Sequence, residues 1–196
     1  MNVRIALFIH ICSVLGLFVS AALETTSLNR LRNTKSVSVG RAWGSLNTPL
    51  KYSFPVSAVL LLLSGLYQLH ENSDFKQAQP WAMTVLVLLV VLAIMGGAFN
   101  GRHMEAIQEA LREAPDGPIP AAIDARIHDP ILLTSIQTMT TAILGAALIM
   151  TVKPGLRDSI IIAAVSMLLG AASAQPMLRA RKAESAPETA PAVAGE

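Results

Sequence analysis

Charged side chains are scarce in this chain and absent from long parts of it. Asp, Glu, Lys and Arg make up 14% of the 196 residues, and the mean hydropathy is +0.52. A soluble domain ordinarily carries about 25% charged residues, so the composition excludes a typical soluble domain. The formal net charge of +2 is too small to indicate nucleic-acid binding, and no nucleic-acid partner is expected.

Cysteine is nearly absent as well. Cys12 is the only one in the sequence, so the chain forms no intrachain disulfide and has no CxxC motif for metal binding or redox chemistry. No phosphate-binding glycine loop, soluble domain or sequence repeat is recognisable either. These absences remove the common signatures of an enzyme, and we expect a protein that is not an enzyme.

What the chain does contain is five long apolar stretches. A bilayer core of about 30 Å needs about 20 apolar residues of helix to cross it. The pattern predicts an all-α, polytopic membrane helix bundle over residues 1–182, followed by an Ala-, Pro- and Glu-rich tail over 183–196 that we expect to be disordered. The predicted spans are residues 4–23, 50–70, 80–101, 131–151 and 158–178.

Most of the fifteen basic residues lie on one side of these spans. They fall in segments 24–51, 101–130 and 179–182, which together we call the basic end. Lys and Arg close to membrane spans stay in the cytoplasm. The distribution therefore predicts an N-terminus outside and a C-terminus inside, in the bacterial cytoplasmic (inner) membrane, with the lipid bilayer as the first partner.

The connections between the spans predict how they pair. The short link Lys153-Pro154-Gly155 is typical of a tight turn and predicts an antiparallel hairpin of the fourth and fifth spans. The second and third spans are expected to form another hairpin. After Gly101, Met104, Ile107 and Leu111 repeat at helical spacing, which predicts an amphipathic continuation of the third span lying along the membrane surface.

His10 is the one ionisable side chain well inside a predicted span. Lipid offers an imidazole no hydrogen-bond partner, so it must find one inside the bundle. One interpretation is an axial ligand of haem b, or a copper ligand. The other is a neutral histidine bonded to a backbone carbonyl or to a serine on a neighbouring helix.

Three further side chains are candidates to complete a site with His10. His70 closes the second span on the same side as His10, although it lies less deep in the membrane. Met83 and Met150 lie near that side on the third and fourth spans, and a His/Met pair can bind haem or copper. The alternative for both methionines is ordinary packing.

The fourth span carries a polar face. Its members share one side of a helix because they are spaced by three or four residues, and they are Thr134, Gln137, Thr138 and Thr141. Buried polar groups in lipid pair with one another or with another helix. The face is expected to point into the bundle, where it joins helices or lines a cavity for a small solute.

A histidine early in the first span, followed by Leu15-Gly16, a basic loop and a helical hairpin, resembles small bacterial membrane proteins grouped with copper-resistance protein D. That group includes the haem-dependent protoporphyrinogen oxidase of the J type. The resemblance covers residues 5–105 and implies a helix bundle, with haem or copper bound at His10. This chain departs from the group's pattern because it lacks Trp and paired Gly after the histidine.

Three functions follow as expectations. The first is a multi-pass membrane protein with a structural or partner-binding role, which assembles with itself or with another membrane protein. The second is a haem- or copper-binding redox protein that uses His10. The third is a small-solute transporter that uses the polar face of the fourth span.

Overall fold

The computed structural model describes residues 2–71 and 79–184, and this part of the chain is almost entirely helical. Five of its helical stretches are long and apolar enough to cross a membrane. The chain is therefore an all-α, multi-pass membrane protein, as the sequence predicted. The helices are α1 (Val3–Arg32), α2 (Val37–Ser45), α3 (Leu50–Glu71), α4 (Pro80–Ala93), α5 (Arg102–Glu113), α6 (Ala121–Ile127), α7 (Pro130–Val152) and α8 (Leu156–Glu184), with a π-helical segment, π1 (Ile94–Gly101), joining α4 to α5.

Two of the membrane helices are longer than predicted. Helix α1 continues to Arg32 instead of ending near residue 23, and α8 continues to Glu184 instead of residue 178. Backbone hydrogen bonding continues past the apolar part because polar residues such as Glu24 and Thr25 are compatible with a helix. The predicted disordered tail began at residue 183, but residues 183 and 184 still belong to α8. The rest of the tail, from residue 185 onward, lies outside the described residues.

Helices α1 and α3 pack as an antiparallel pair along their whole length. Small and polar residues face each other, and the residue numbers of each pair add to nearly the same value, as antiparallel alignment requires. The pairs are His10 with Ser64, Gly16 with Ser57 and Ser20 with Ser53. Small residues let the two backbones approach closely, and hydroxyl groups provide hydrogen bonds that lipid cannot.

Helices α7 and α8 form the predicted antiparallel hairpin, which turns at Lys153 in the left-handed conformation, with a φ of 50°. The predicted hairpin of the second and third spans is not the main pairing, however. Helix α3 packs chiefly against α1, whereas α4 packs against α7 and α8. Sequence adjacency failed here because the small and polar residues of α3 match those of α1.

The basic end is closed by a helical cap, which we define as α2, α5 and α6. The predicted amphipathic helix is present as α5, but its apolar face does not lie against lipid. Met104, Ile107 and Leu111 are each at most 2% exposed because protein covers them. They belong to a core shared with α1, α2, α6 and α7, whose other members include Leu28, Leu31, Val37, Ile123, Ile127 and Leu132.

Two features hold α2 on α5. Gly40 and Gly44 face α5, and a Cβ on Gly40 would lie 3.2 Å from Leu111 Cδ2, so the two helices are in close contact. Arg41 reaches the C-terminal end of α5, where its Nε donates to the Leu111 carbonyl at 2.8 Å and its guanidinium also contacts the Ala114 carbonyl and Asp116. A cation is favourable at this end of a helix because the carbonyl groups there have no helical partner.

Candidate functional site: a polar cavity at the basic end

The structure places His10 against α3 rather than among other candidate ligands. Its Nδ1 lies 3.1 Å from Ser64 Oγ, and its ring packs on Gly65. The Ser64 hydroxyl donates to the Leu60 carbonyl at 2.6 Å, so it must accept from His10 Nδ1–H. In a neutral imidazole the other nitrogen, Nε2, then carries a lone pair.

The three candidate partners of His10 lie at other places. His70 is six residues beyond Ser64 on α3, which is about 9 Å along a helix. Met83 is 59% exposed on the outside of the bundle, whereas Met150 packs against a core cluster built around Leu88, Leu92 and Met139. Within residues 2–71 and 79–184, no group of three or more His, Cys, Asp or Glu side chains is arranged to hold a metal ion.

Helix α8 covers the polar face of α7 at Thr138 and Thr141, whereas Thr134 lines a surface groove. A Cβ on Gly170 would lie 2.2 Å from Thr141 Oγ1 and 2.5 Å from Thr138 Cα, so α8 contacts this face at its glycine. The Thr141 and Thr134 hydroxyls donate back to carbonyls of their own helix, at Gln137 and Pro130. These threonines therefore lie in a helix–helix contact and at its edge.

A different site emerges at the basic end, where a cavity of about 410 Å³ opens between α1, α3, π1 and α5. This volume is in the range of small-molecule sites, about 300–1,000 Å³. Its inner wall carries Ser20, Glu24, Asn47, Phe54, Gly96 and Gly97, and its mouth carries Lys51, Arg102, Glu105, Gln108, Glu109 and Arg112.

Three polar side chains of this wall are deeply buried: Ser20, Glu24 and Asn47. Ser20 is paired with Ser53. Glu24 is 8% exposed and Asn47 is 7% exposed. Asn47 is held by its amide nitrogen, which donates to Ser27 Oγ at 2.6 Å and lies 3.4 Å from the Gly44 carbonyl. Its Oδ1 has no hydrogen-bond partner in the described part of the chain.

The mouth of the cavity is ringed by charges of both signs. Lys51 Nζ and Glu105 Oε1 form an ion pair at 2.6 Å, and the adjacent ammonium lowers the pKa of the Glu105 carboxyl from its usual value. Arg102 and Arg112 also line the mouth and are exposed. Cations here could hold an anionic group at the level where the helices leave the membrane.

The π1 segment lines the cavity with glycines, which expose backbone atoms and carry no side chain. Gly96, Gly97 and Gly101 all line the cavity, and a Cβ on Gly97 would meet no atom within 4 Å. Asn100, on the same segment, is fully buried beside Met139. Short π-helical segments are frequent at functional sites, so the position of π1 beside the cavity is consistent with a binding role.

Sequence reasoning missed this site. The sequence predicts basic inner loops over 24–51 and 101–130, with an amphipathic helix after Gly101, and Glu24 is not among the predicted site residues. Two signals were present: the Gly96-Gly97…Gly101 cluster at the end of a span, and the Gly40-x-x-x-Gly44 spacing that brings α2 onto α5. Neither glycine pattern predicts the cavity by itself, because the cavity depends on which helices pack together.

Comparison with protein-family models, with curated proteins and with solved structures finds no match to this chain. The resemblance to the copper-resistance protein D group therefore stays a prediction.

Proposed function

We propose that the protein is a multi-pass protein of the bacterial cytoplasmic membrane that binds a small polar ligand in the cavity at its basic end. In this proposal the basic end, with its cap, faces the cytoplasm. The sequence pattern alone favoured an assembly role. The cavity favours ligand binding, because its volume and mixed lining are those of a small-molecule site.

The observation that carries the proposal is the burial of Glu24 and Asn47 in the wall of one cavity. Burying polar groups costs free energy unless they are paired. A ligand that pairs with them offsets this cost and explains why a membrane protein keeps a carboxylate in such a place.

A ligand screen on the full-length, detergent-purified protein tests the proposal. Compounds of several charge classes are added, and the melting temperature is followed by the fluorescence of Trp43 and Trp81. We expect at least one class to raise the melting temperature of the wild type. The control is Gly97→Leu, because Gly97 lines the cavity and a Cβ there meets no atom within 4 Å. We expect the added side chain to fill part of the cavity, so this variant should melt normally and respond to no ligand. A wild type that responds to no class, or a Gly97→Leu variant that responds equally, would refute the proposal.

A second candidate function is haem or copper binding at His10. The observation that favours it is the hydrogen bond from Nδ1 to Ser64, which fixes the ring and leaves the Nε2 lone pair, as is usual for metal-ligating histidines. An absorption spectrum and metal analysis of protein from haem- and copper-replete cells test it. A Soret band or stoichiometric copper that disappears in His10→Ala but not in His103→Ala would support haem or copper binding. Wild-type protein with neither a Soret band nor bound copper would contradict it.

A further inference from the structure

Two hydrogen-bond acceptors in the cavity wall lack a partner. The Glu24 carboxylate belongs to a side chain that is more than nine-tenths buried, and it makes no hydrogen bond or ion pair with any residue that the structure describes. Asn47 is buried to the same degree, and its Oδ1 is likewise unpaired within the described ranges. Its amide nitrogen is engaged by Ser27 and its oxygen is covered by protein, so the Glu24 carboxylate is the acceptor left for a ligand.

Ser27 links Glu24 to Asn47. Ser27 follows Glu24 by three residues, so both side chains lie on one face of α1. The 2.6 Å bond from Asn47 to Ser27 Oγ holds the amide against that face. Both Glu24 and Asn47 line the cavity, where Glu24 contributes the carboxylate without a partner.

The chemistry of the acceptors defines the complementary group. A buried carboxylate is neutralised by taking up a proton or by pairing with a cationic group, and its oxygens accept hydrogen bonds from donors. An ammonium group supplies one charge and three N–H donors in a small volume.

Arginine side chains at the mouth of the cavity are suited to bind an anionic group at the other end of an ammonium ligand. Arg102 and Arg112 are exposed there and form no ion pair with the residues that the structure describes. Arginine is suited to phosphate because its N–H groups can form two parallel bonds to phosphate oxygens. We propose that the cavity binds a primary aminoalkyl phosphate, with its ammonium at Glu24 and its phosphate at the cationic mouth of the cavity. This assignment rests on the proposed function and specifies the ligand class of that cavity.

Such a ligand has two sources, a soluble amino-phosphate or the headgroup of phosphatidylethanolamine, and the test begins with their shared chemistry. Binding of phosphoethanolamine and of phosphocholine is measured by calorimetry on the full chain in detergent. The two probes share a phosphate, but the quaternary nitrogen of phosphocholine has no N–H. We expect phosphoethanolamine to bind at least tenfold more tightly.

Matched variants locate the ammonium. Glu24→Gln keeps the size of the side chain and removes its charge, and we expect it to weaken phosphoethanolamine binding at least tenfold. Glu113→Gln neutralises an exposed carboxylate on α5 that does not line the cavity and should change binding less than twofold. A cooperative melting transition at or above the wild-type melting temperature verifies that each variant is folded. We expect Gly97→Leu, which adds bulk at a glycine of the cavity lining, to bind neither probe.

Native mass spectrometry of protein taken from membranes identifies the source. Bound phosphatidylethanolamine on the wild type, lost in Glu24→Gln, supports the assignment with the lipid as ligand. Phosphoethanolamine binding without retained lipid supports it with a soluble ligand. Equal binding of the two probes, or an unaffected Glu24→Gln variant, overturns the ammonium assignment but leaves the cavity a binding site. If neither probe nor any compound of the ligand screen binds, the proposed function fails together with the assignment.

Discussion

At the scale of single residues, burial of Glu24 is the feature that most needs a cause. A carboxylate that is 8% exposed reduces stability unless something pairs with it. Natural proteins keep such costs where function requires them. Free protein should therefore be more stable when the carboxylate is removed.

We predict that Glu24→Met raises the stability of the ligand-free protein by about 1–3 kcal/mol, the usual cost of an unsatisfied buried polar group. Met has a similar length and leaves no polar atom without a partner. Thermal melting in detergent measures the change. Glu109→Met at the exposed mouth serves as the control and should leave the melting temperature unchanged. A Glu24→Met variant less stable than the wild type would mean that Glu24 has a stabilising role.

At the scale of helices, close backbone contact at small residues holds the bundle together. Gly145 faces Ser166 and Gly170 faces Thr141 across α7 and α8, in the antiparallel alignment that the hairpin imposes. The sequence predicted both the small residues and the polar face of α7. It could not predict that the face would be covered by α8, because spacing along one helix does not identify the helix that faces it.

We predict that Gly170→Ala destabilises the protein by about 1–3 kcal/mol, the typical cost of overpacking. The new methyl group would lie 2.5 Å from Thr138 Cα and 2.7 Å from the Gln137 carbonyl oxygen, and these backbone atoms can move away only if the two helices separate. Gly97→Ala is the matched control, since its methyl group meets no atom within 4 Å. Chemical unfolding in mixed micelles measures both variants. Equal stability of the two would show that α7 and α8 are not in close contact at Gly170.

The attachment of the cap gives a second prediction at this scale. Arg41 bonds to the exposed carbonyls at the end of α5 and to Asp116, and its side chain is 35% exposed. We expect Arg41→Met to destabilise the cap by about 1–2 kcal/mol, because hydrogen bonds from a charged donor are lost although water partly replaces them.

Limited proteolysis of the 114–120 connection reports on the cap directly. Cleavage there should be faster in Arg41→Met than in the wild type. Arg126→Met removes an exposed arginine on α6 and should leave cleavage unchanged. If Arg41→Met were cleaved no faster than Arg126→Met, the contacts of Arg41 with α5 would contribute little.

At the scale of the whole molecule, hydropathy predicted the five membrane helices but not the packing of α2, α5 and α6 into a cap. The apolar stretches identified five membrane helices because bilayer thickness fixes their length. The periodicity of Met104, Ile107 and Leu111 predicted an amphipathic helix, but an apolar face is the same whether lipid or protein covers it. Only the contacts with Leu28, Val37 and Ile127 distinguish the two.

One labelling experiment on the intact chain decides whether this cavity is open to the cytoplasm. Cys12 is replaced by Ser, and Gln108, at the cavity mouth, by Cys. A membrane-impermeant maleimide is then applied to spheroplasts and to inverted membrane vesicles. We predict labelling in inverted vesicles only, because the positive-inside rule places the basic end in the cytoplasm. Labelling in intact spheroplasts would contradict the orientation, and no labelling in either preparation would contradict an open cavity.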